Sequence, residues 1–165
     1  MTGNENHSDQ QLSILSVPQR FGVYPWWPAE DDSWIHPDDV ELCYRLIPSP
    51  RVFRREFLDQ QYNRLTYGEL ILRVRPTMWL EVPTDGYLVG DRVEIRSEMG
   101  RRRPAIARIE DIFFCRRQQR LEYYLSVQSN RISEPFELTQ FQPAFDLNEP
   151  MNARQRELME RARLM

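Results

Sequence analysis

The sequence predicts a mainly β (α+β) protein, in which a helix and antiparallel strands precede a small barrel and a C-terminal helix. Between residues 51 and 83, apolar residues recur at every second position, which is typical of strands with one solvent-facing side. From 84 to 145, short apolar segments follow one another at intervals of about a dozen residues, separated by glycine or polar turns. Helical spacing of apolar residues is confined to the region near residue 40 and to the C-terminus.

These patterns divide the chain of 165 residues into four segments. A flexible polar tail is predicted for 1–19, a helix with antiparallel strands for 20–83, a barrel for 84–145 and a terminal helix for 146–165. The composition is globular, with 41% hydrophobic and 12% aromatic residues. A chain of this length can bury a sizeable core, in one domain or in two small domains that pack together.

The first helix is predicted to begin at His36. Pro37 suits the first helical position, and the two aspartates after it suit the positive end of the helix dipole. Pro48 and Pro50 end the helix, because proline cannot continue one. Residues at i, i+3, i+4 and i+7 form its apolar face, namely Val40, Cys43, Tyr44 and Ile47.

Two or three antiparallel strands are predicted for 51–83, where apolar and polar side chains alternate. The first strand is centred on Val52 and Phe53, and a second covers 70–74. After Pro76, three apolar residues alternate with two others, so that Met78, Leu80 and Val82 share one side and Trp79 and Glu81 the other.

Four short strands are predicted to form the barrel as a meander. The first surrounds Gly90 and Asp91, the second follows a turn at Gly100, and the third covers 121–127. The fourth is a short strand or a single turn at 135–141. Strand parity directs six side chains into one core, namely Val93, Ile95, Ile109, Leu121, Tyr123 and Leu125.

The terminal segment predicts a helix that is polar for its length. Asn148 is the expected N-cap, and Pro150 lies in the first turn. A helix with so thin an apolar stripe docks weakly, packs on a partner or frays. The stripe consists of Met151, Leu158, Ala162 and Met165.

The basic residues and the cysteines restrict the kinds of catalytic site that the chain can form and the compartment that it suits. All 22 basic residues are arginine, which excludes a P-loop lysine, a Schiff-base lysine and a lysine general base. Cys43 and Cys115 are far apart and lack C-x-x-C spacing, which indicates free thiols in a reducing cytoplasm. No secretory signal is recognisable, and no apolar run approaches the roughly 20 residues of a membrane helix. We therefore expect a cytoplasmic protein without a membrane partner.

The candidate chemical sites each have a structural alternative. No pair of histidine or cysteine residues has zinc-ligand spacing, and we expect no metal and no cofactor. His36 is either a general base or the cap of the helix that follows it. An acidic cluster could contact a cation, but it lacks the spacing and glycine of a calcium loop and suits a solvated loop and a helix start. It consists of Asp31, Asp32, Asp38 and Asp39.

Arginine is concentrated in the predicted barrel. Residues 96–120 hold eight arginines against three acids, whereas the first fifty residues hold two arginines against eight acids. A basic region on a small barrel can contact a phosphate backbone. Alternate turns of a meander share one end, so the first and third turns are expected together and the second at the opposite end. Candidate contacts for a partner or a nucleic acid are Arg101, Arg102, Arg103 and Arg131, with Arg116 and Arg117 at the other end.

Three segments together resemble the opening hairpin of SH3-like barrels, including Tudor-like and ribosomal-protein-like barrels. They are LVGDRVEI at 88–95, the turn at Gly100 and AIARI at 105–109. This resemblance implies a fold and only weakly an activity. The whole chain, with YPWWP at 24–28 ahead of this hairpin, resembles an uncharacterised family of bacterial proteins, from which no activity follows.

The tetrapeptide PWWP at 25–28 resembles the signature of PWWP domains, which read methylated lysine in chromatin. In that family a G-D-x-V strand comes shortly before the tetrapeptide, whereas here Gly90 and Asp91 lie about sixty residues after it. We interpret the match as coincidental and expect Trp26 and Trp27 to anchor the segment on the core. A lysine-binding aromatic cage is the alternative to core packing for Trp79, Tyr87, Phe113, Tyr123 and Tyr124.

The chain is therefore predicted to be a non-enzymatic cytoplasmic interaction or scaffold module that binds a protein partner. The alternative is a nucleic-acid-binding barrel that uses its arginine-rich hairpin tips for weak phosphate contacts. A third class, an enzyme whose site is assembled from dispersed residues, stays open.

Overall fold

In a computed structural model, which describes residues 19–97, 104–144 and 152–164, the chain forms a ten-stranded antiparallel sheet, two α-helices and two short 3-10 helices. The strands are β1 Arg20–Tyr24, β2 Ser49–Phe57, β3 Asn63–Tyr67, β4 Leu70–Val74, β5 Leu80–Glu81, β6 Arg92–Ile95, β7 Ala105–Cys115, β8 Arg120–Val127, β9 Asn130–Arg131 and β10 Phe141–Pro143. The helices are α1 Val40–Leu46 and α2 Ala153–Leu164, and the 3-10 helices are Pro37–Asp39 and Leu138–Gln140.

The described strands form two halves of the sheet that meet at one strand pair. In the first half, β2 pairs with β1 and β3, β5 pairs with β1, and β4 pairs with β3. In the second half, β6, β7 and β8 form a meander, with β9 beside β8 and β10 beside β6. The halves are joined where Arg51 of β2 lies opposite Phe113 of β7.

The second half curls because its last segment returns to its first strand. The backbone of Phe136 exchanges two hydrogen bonds with Tyr123 of β8, with N···O distances of 2.7 and 2.9 Å. A 3-10 turn follows, and Phe141 of β10 then lies opposite Ile95 of β6. The predicted mainly β class with a terminal helix is thus confirmed, and the strand pairing forms a curled half-barrel where a closed barrel was expected.

The sheet has two apolar cores, and the half-barrel core also contains Val23, Val52 and Val82 from the first half. In the first half, Tyr24, Phe53 and Leu65 are fully buried beside residues of α1. In the half-barrel, five of the six predicted core residues are buried and Leu121 is partly buried against them, which confirms the predicted parity. The five are Val93, Ile95, Ile109, Tyr123 and Leu125.

Two predicted apolar faces each include an exposed residue, for reasons that depend on tertiary contacts. Tyr44 is 59% exposed, because its ring stacks on Trp27 and its hydroxyl donates to Asp32 at the rim of the core. Met78 is 76% exposed, whereas Val82 on the same predicted side and Trp79 on the other are both buried. Trp79 is buried because Gly22 admits it: a Cβ at Gly22 would lie 2.8 Å from its ring.

One strand was not anticipated at all. The alternation between 51 and 83 indicated strands around 53, 70–74 and 78–82, but it did not indicate β3. Its residues Leu65 and Tyr67 are buried in the core of the first half.

The terminal helix is attached through the apolar side chain of Leu158 and through Arg154, which binds both Asp91 and the carbonyl of Gly86. It begins at Ala153, and Asn152 caps it by accepting a 2.8 Å hydrogen bond from the amide of Gln155. Asn148, the expected cap, lies outside the described residues. Leu158 enters the half-barrel core at 3% exposure, and Arg154 donates to the Asp91 carboxylate at 2.9 Å.

Val93→Asp should unfold the half-barrel, because it places an unpaired charge at a fully buried position. We expect the free energy of unfolding to fall by at least about 3 kcal/mol, measured by urea denaturation and thermal melting. Ile106→Asp is the matched control: Ile106 lies on the neighbouring strand but is 43% exposed, so the same change should cost little. A Val93→Asp variant that melts like the native protein would contradict the strand assignment.

Candidate functional site

Arginine and aromatic side chains form a continuous stack on the outer face of the half-barrel. The rings of Phe113 in β7 and Tyr124 in β8 lie 5.1 Å apart between centroids. Arg51 lies 5.7 Å from the Phe113 ring centroid, and Arg131 lies 4.9 Å from that of Tyr124. We call these four residues the arginine–aromatic surface. Cations stacked on ring faces are held by the ring quadrupole, so the four side chains restrict one another.

Asp111 connects this surface to the first half of the sheet. Its carboxylate accepts hydrogen bonds of 2.6 Å from Arg131 and 2.6 Å from the hydroxyl of Tyr67 in β3. The Tyr67 hydroxyl also accepts a 3.3 Å bond from the backbone amide of Ile112. Burial, followed by the hydrogen bond to Asp111, raises the pKa of Tyr67, which therefore stays protonated and donates. A bulge at Glu110, between two shifted registers, brings Asp111 into this position.

Charges of both signs surround the stack. Glu122 lies opposite Phe113 across the strand pair, and Arg108 lies opposite Ser126. Glu110 is exposed and accepts a hydrogen bond from the Ser126 hydroxyl. The outer face therefore alternates arginine with carboxylate, and no single sign of charge dominates its described part.

The arginines singled out from the sequence have different fates. Arg101, Arg102 and Arg103 lie outside the described residues. Arg131 is in β9 and lies opposite Ser126, so it belongs to the end of the half-barrel at which β7 begins. Arg116 and Arg117 are exposed in the turn between β7 and β8, at the opposite end.

The acidic cluster is divided among separate contacts. Asp31 accepts a hydrogen bond from the amide of Ser33 at 3.0 Å, and Asp32 accepts one from the Tyr44 hydroxyl. Asp39 holds the guanidinium of Arg73 at 2.8 Å, and that hydrogen bond lowers the pKa of the Asp39 carboxyl. Within the described ranges, no group of three potential ligands could hold a metal ion.

His36 and the cysteines have structural surroundings. The Nδ1 atom of His36 accepts a 3.3 Å hydrogen bond from the amide of Asp38 and so caps the 3-10 helix, as one of the two sequence interpretations holds. Burial, aided by the charges of Asp32 and Asp39, raises the pKa of Cys43 to about 12. A thiol with that pKa is protonated at neutral pH and is a poor nucleophile.

The aromatic residues considered for a cage lie in three separate places. Tyr87 and Tyr123 pack edge-to-face against Phe141 in the half-barrel core, at 5.2 and 5.0 Å between centroids. Trp79 packs near Tyr24 in the other core, and Phe113 and Tyr124 lie on the outer face.

The tryptophans of the PWWP tetrapeptide differ from each other. Trp27 stacks on Tyr44 at 4.8 Å and meets Trp34 edge-on at 5.1 Å, so it is anchored as expected. Trp26 is 39% exposed, and the expectation that it packs on the core is wrong for this residue. Trp26 lies in a bend after β1 and takes no part in the ring contacts that hold Trp27.

Comparison with known proteins identifies the family from most of the chain. A family model of unknown function, DUF6960, matches residues 14–142. The chain belongs to DUF6960. No curated protein and no solved structure gives a significant match. In the part of this DUF6960 protein that the structure describes, neither helix combines the length and the apolarity needed to cross a bilayer.

The sequence analysis did not identify three residues of the arginine–aromatic surface and of its support, namely Arg51, Tyr67 and Asp111. Arg51 could have been found, because the neighbouring Val52 enters the half-barrel core and adjacent residues of a strand point to opposite sides. The contact between Tyr67 and Asp111 had no sequence signal, since 44 positions separate the two residues and a bulge sets their approach.

We expect Cys43 to resist iodoacetamide at about pH 8 in the native protein, reacting more than about 100-fold more slowly than after denaturation. Cys115 is only half-buried and should react first, as mass spectrometry of labelled peptides would show. The folded protein favours the neutral thiol of Cys43. The contribution of this thiol to the free energy of unfolding is therefore complete below the ordinary thiol pKa of 9.0, and it is lost as pH rises toward about 12. Equal labelling of both thiols would contradict the burial of Cys43.

Proposed function

We propose that this DUF6960 protein is a non-enzymatic interaction module of the cytoplasm, which binds a protein partner through the arginine–aromatic surface. The observation that carries the proposal is the stack of Arg51, Phe113, Tyr124 and Arg131, fixed by the carboxylate of Asp111. Arginine and tyrosine are among the residue types that contribute most to binding energy at protein interfaces.

The rigidity of this surface favours binding. An exposed arginine loses conformational entropy when a partner immobilises it. Arg131 is already held by Asp111 and by the ring of Tyr124, and Tyr67 holds Asp111 from beneath. Much of this entropy is therefore lost on folding, and contacts made by a partner contribute more fully to affinity.

The charge pattern favours a protein over a nucleic acid at this surface. A phosphate backbone presents continuous negative charge, which Asp111, Glu110 and Glu122 would oppose between the arginines. A protein surface can match alternating charges with charges of its own.

The architecture also supports the SH3-like assignment of the half-barrel. Its three-stranded meander is followed by a 3-10 turn, and a last short strand returns to pair with the first. Barrels of this type carry many functions on one frame, so the surface and not the fold specifies the partner. The bacterial origin that the sequence resemblance implies belongs to the same proposal.

Tagged protein should retain a partner protein from an extract of its native cells after nuclease treatment. Once this partner is identified, we expect Tyr124→Ala to weaken its binding by about 30-fold, or roughly 2 kcal/mol, measured by calorimetry. Arg131→Ser should act in the same direction. Tyr44→Ala and Arg117→Ser are matched controls, because both residues are exposed but lie away from the stack. A partner whose affinity is unchanged in folded Tyr124→Ala and Arg131→Ser would place the interface elsewhere.

A nucleic-acid-binding barrel is the second candidate. The favouring observation is that Arg116 and Arg117 are exposed and make no ion pair with another described residue. The three consecutive arginines at 101–103 add to the local positive charge. This activity would use the hairpin tips, with Arg131 as the one residue that it shares with the arginine–aromatic surface.

For that candidate, we expect changing Arg101, Arg102 and Arg103 together to Ser to reduce the salt dependence of duplex binding by a slope of about 3. Changing Arg131 should add to the loss, and changing Arg116 with Arg117 should matter less. Fluorescence anisotropy in a salt titration measures these slopes on duplex and single-stranded DNA. Undetectable binding at about 50 mM salt would eliminate the candidate. Equal losses from the cluster at 101–103 and from Arg116 with Arg117 would contradict the expectation that binding uses one end of the barrel.

A further inference from the structure

A groove of about 590 Å³ lies at the end of the first half of the sheet, where β2 extends beyond β1. Arg20, the first residue of β1, lies opposite Arg55, whereas β2 continues to Phe57. Within the described residues, Glu56 and Phe57 therefore have strand partners in β3 and none on the β1 side. The groove is thus located where the chain enters β1.

The groove exposes two large apolar side chains. Phe57 and Met78 line it and are 62% and 76% exposed. Phe57 shares a side of β2 with the buried Phe53, because alternate residues of a strand share a face. Arg55, which lies between them on that face, covers the buried Trp79 ring at 4.0 Å from its centroid. The groove is therefore the outer edge of the first apolar core, and an apolar occupant would extend that core.

The charged side chains of the lining already have counter-charges in the protein. Arg20 and Arg55 contact the carboxylate of Glu81 at 3.0 and 3.7 Å. Glu56 contacts an arginine of its own strand at 3.3 Å. An occupant would therefore gain most by covering the apolar surface, and nothing in this charge pattern requires that it carry a charge.

The segment that precedes β1 has the matching chemistry. Residues 12–17, with the sequence LSILSV, contain four large apolar side chains and no ionisable group. Among the eleven residues before them, Met1 is the one large apolar residue. The segment is joined to the groove through Arg20, which lines it. Three extended residues span about 10 Å and eight span about 28 Å, so all of 12–17 lies within reach of the groove.

We infer that residues 12–17 dock in this groove of their own chain, with their apolar side chains on Phe57 and Met78. The contact removes apolar surface from water on both sides. The short connection to Arg20 gives the segment a high effective concentration at the groove. A second copy or a separate protein would also lose translational and rotational freedom on binding there, which favours the tethered segment.

Two further observations support this occupant. Continuing the register of β1 would set Pro18 opposite Phe57, and proline cannot donate a hydrogen bond to a strand ladder. The residues before Pro18 are therefore expected to leave the line of β1 and cross the face of the sheet. The match to DUF6960 begins at residue 14, so three of the four apolar residues belong to the sequence that the family shares.

A double-mutant cycle in the full-length protein tests the contact. The groove variant combines Phe57→Thr with Met78→Gln, which keeps a strand former at 57 and the chain length at 78. We expect each variant to lower the melting temperature by about 5 °C. All six changes together should lower it by about as much as either variant alone, because both remove the same contact. The segment variant changes four residues to serine, namely Leu12, Ile14, Leu15 and Val17.

Ile71→Thr is the matched control. Ile71 is 52% exposed in β4, and it lies opposite Thr66, which lies opposite Arg54 on the other face of the sheet from Arg55. Its effect on the melting temperature should add to that of the segment variant.

Nuclear Overhauser effects show the contact directly. The methyl signal of Met78, assigned by its loss in Met78→Gln, should show them to methyl groups of residues 12–17. Additive effects in the cycle, an unchanged melting temperature in either variant, or the absence of these signals would overturn the inference. So would signals that appear only when light scattering shows a dimer, because they would place the segment on a second copy. In the described part of the chain, the groove shares no lining residue with the arginine–aromatic surface, so these outcomes do not depend on partner capture.

Discussion

The contact between Tyr67 and Asp111 ties the two halves of the sheet together. Among the described strands the halves share one pairing, so backbone hydrogen bonding alone leaves them weakly connected. Tyr67 belongs to the first half and reaches across to a carboxylate of the second, at 2.6 Å. The other oxygen of that carboxylate binds Arg131 and aligns that arginine over Tyr124. A bond that fixes the fold therefore also fixes the proposed interface.

Asp91 has a comparable role at the other side of the half-barrel. Its carboxylate accepts a 2.8 Å bond from the amide of Leu88, which closes the turn before β6, and it also binds Arg154 of α2. Gly90, next to it, adopts a φ of 95°, which a residue with a side chain rarely does. The Gly-Asp pair thus shapes the turn and anchors the helix.

The use of arginine alone as the cation suits the arginine–aromatic surface. A guanidinium is planar, so it stacks on rings such as Phe113 and Tyr124 and can still donate hydrogen bonds from its edge. A lysine ammonium at position 131 would hold Asp111 as a point charge and would lose the stacking.

Several features were determined by the sequence itself, because their causes are local. Alternation placed Val93, Ile109 and Tyr123 in one core, and proline with aspartate placed the first helix after His36. The scarcity of apolar residues in α2 indicated a weakly held helix, and Leu158 is the one residue of that helix described as buried.

Tertiary structure decided what depends on distant residues. The side of Trp79 depends on the space left by Gly22, which lies 57 positions earlier in the chain. Asp111 meets Tyr67 only because a bulge shifts the register of β7, and Phe141 meets Tyr87 and Tyr123 only because β10 returns to β6. Local sequence propensity does not predict such contacts, because two distant segments must fold before their side chains can approach each other. The sequence by itself therefore determined most of the strands, their parity and the first helix, and the tertiary fold alone assembled the arginine–aromatic surface.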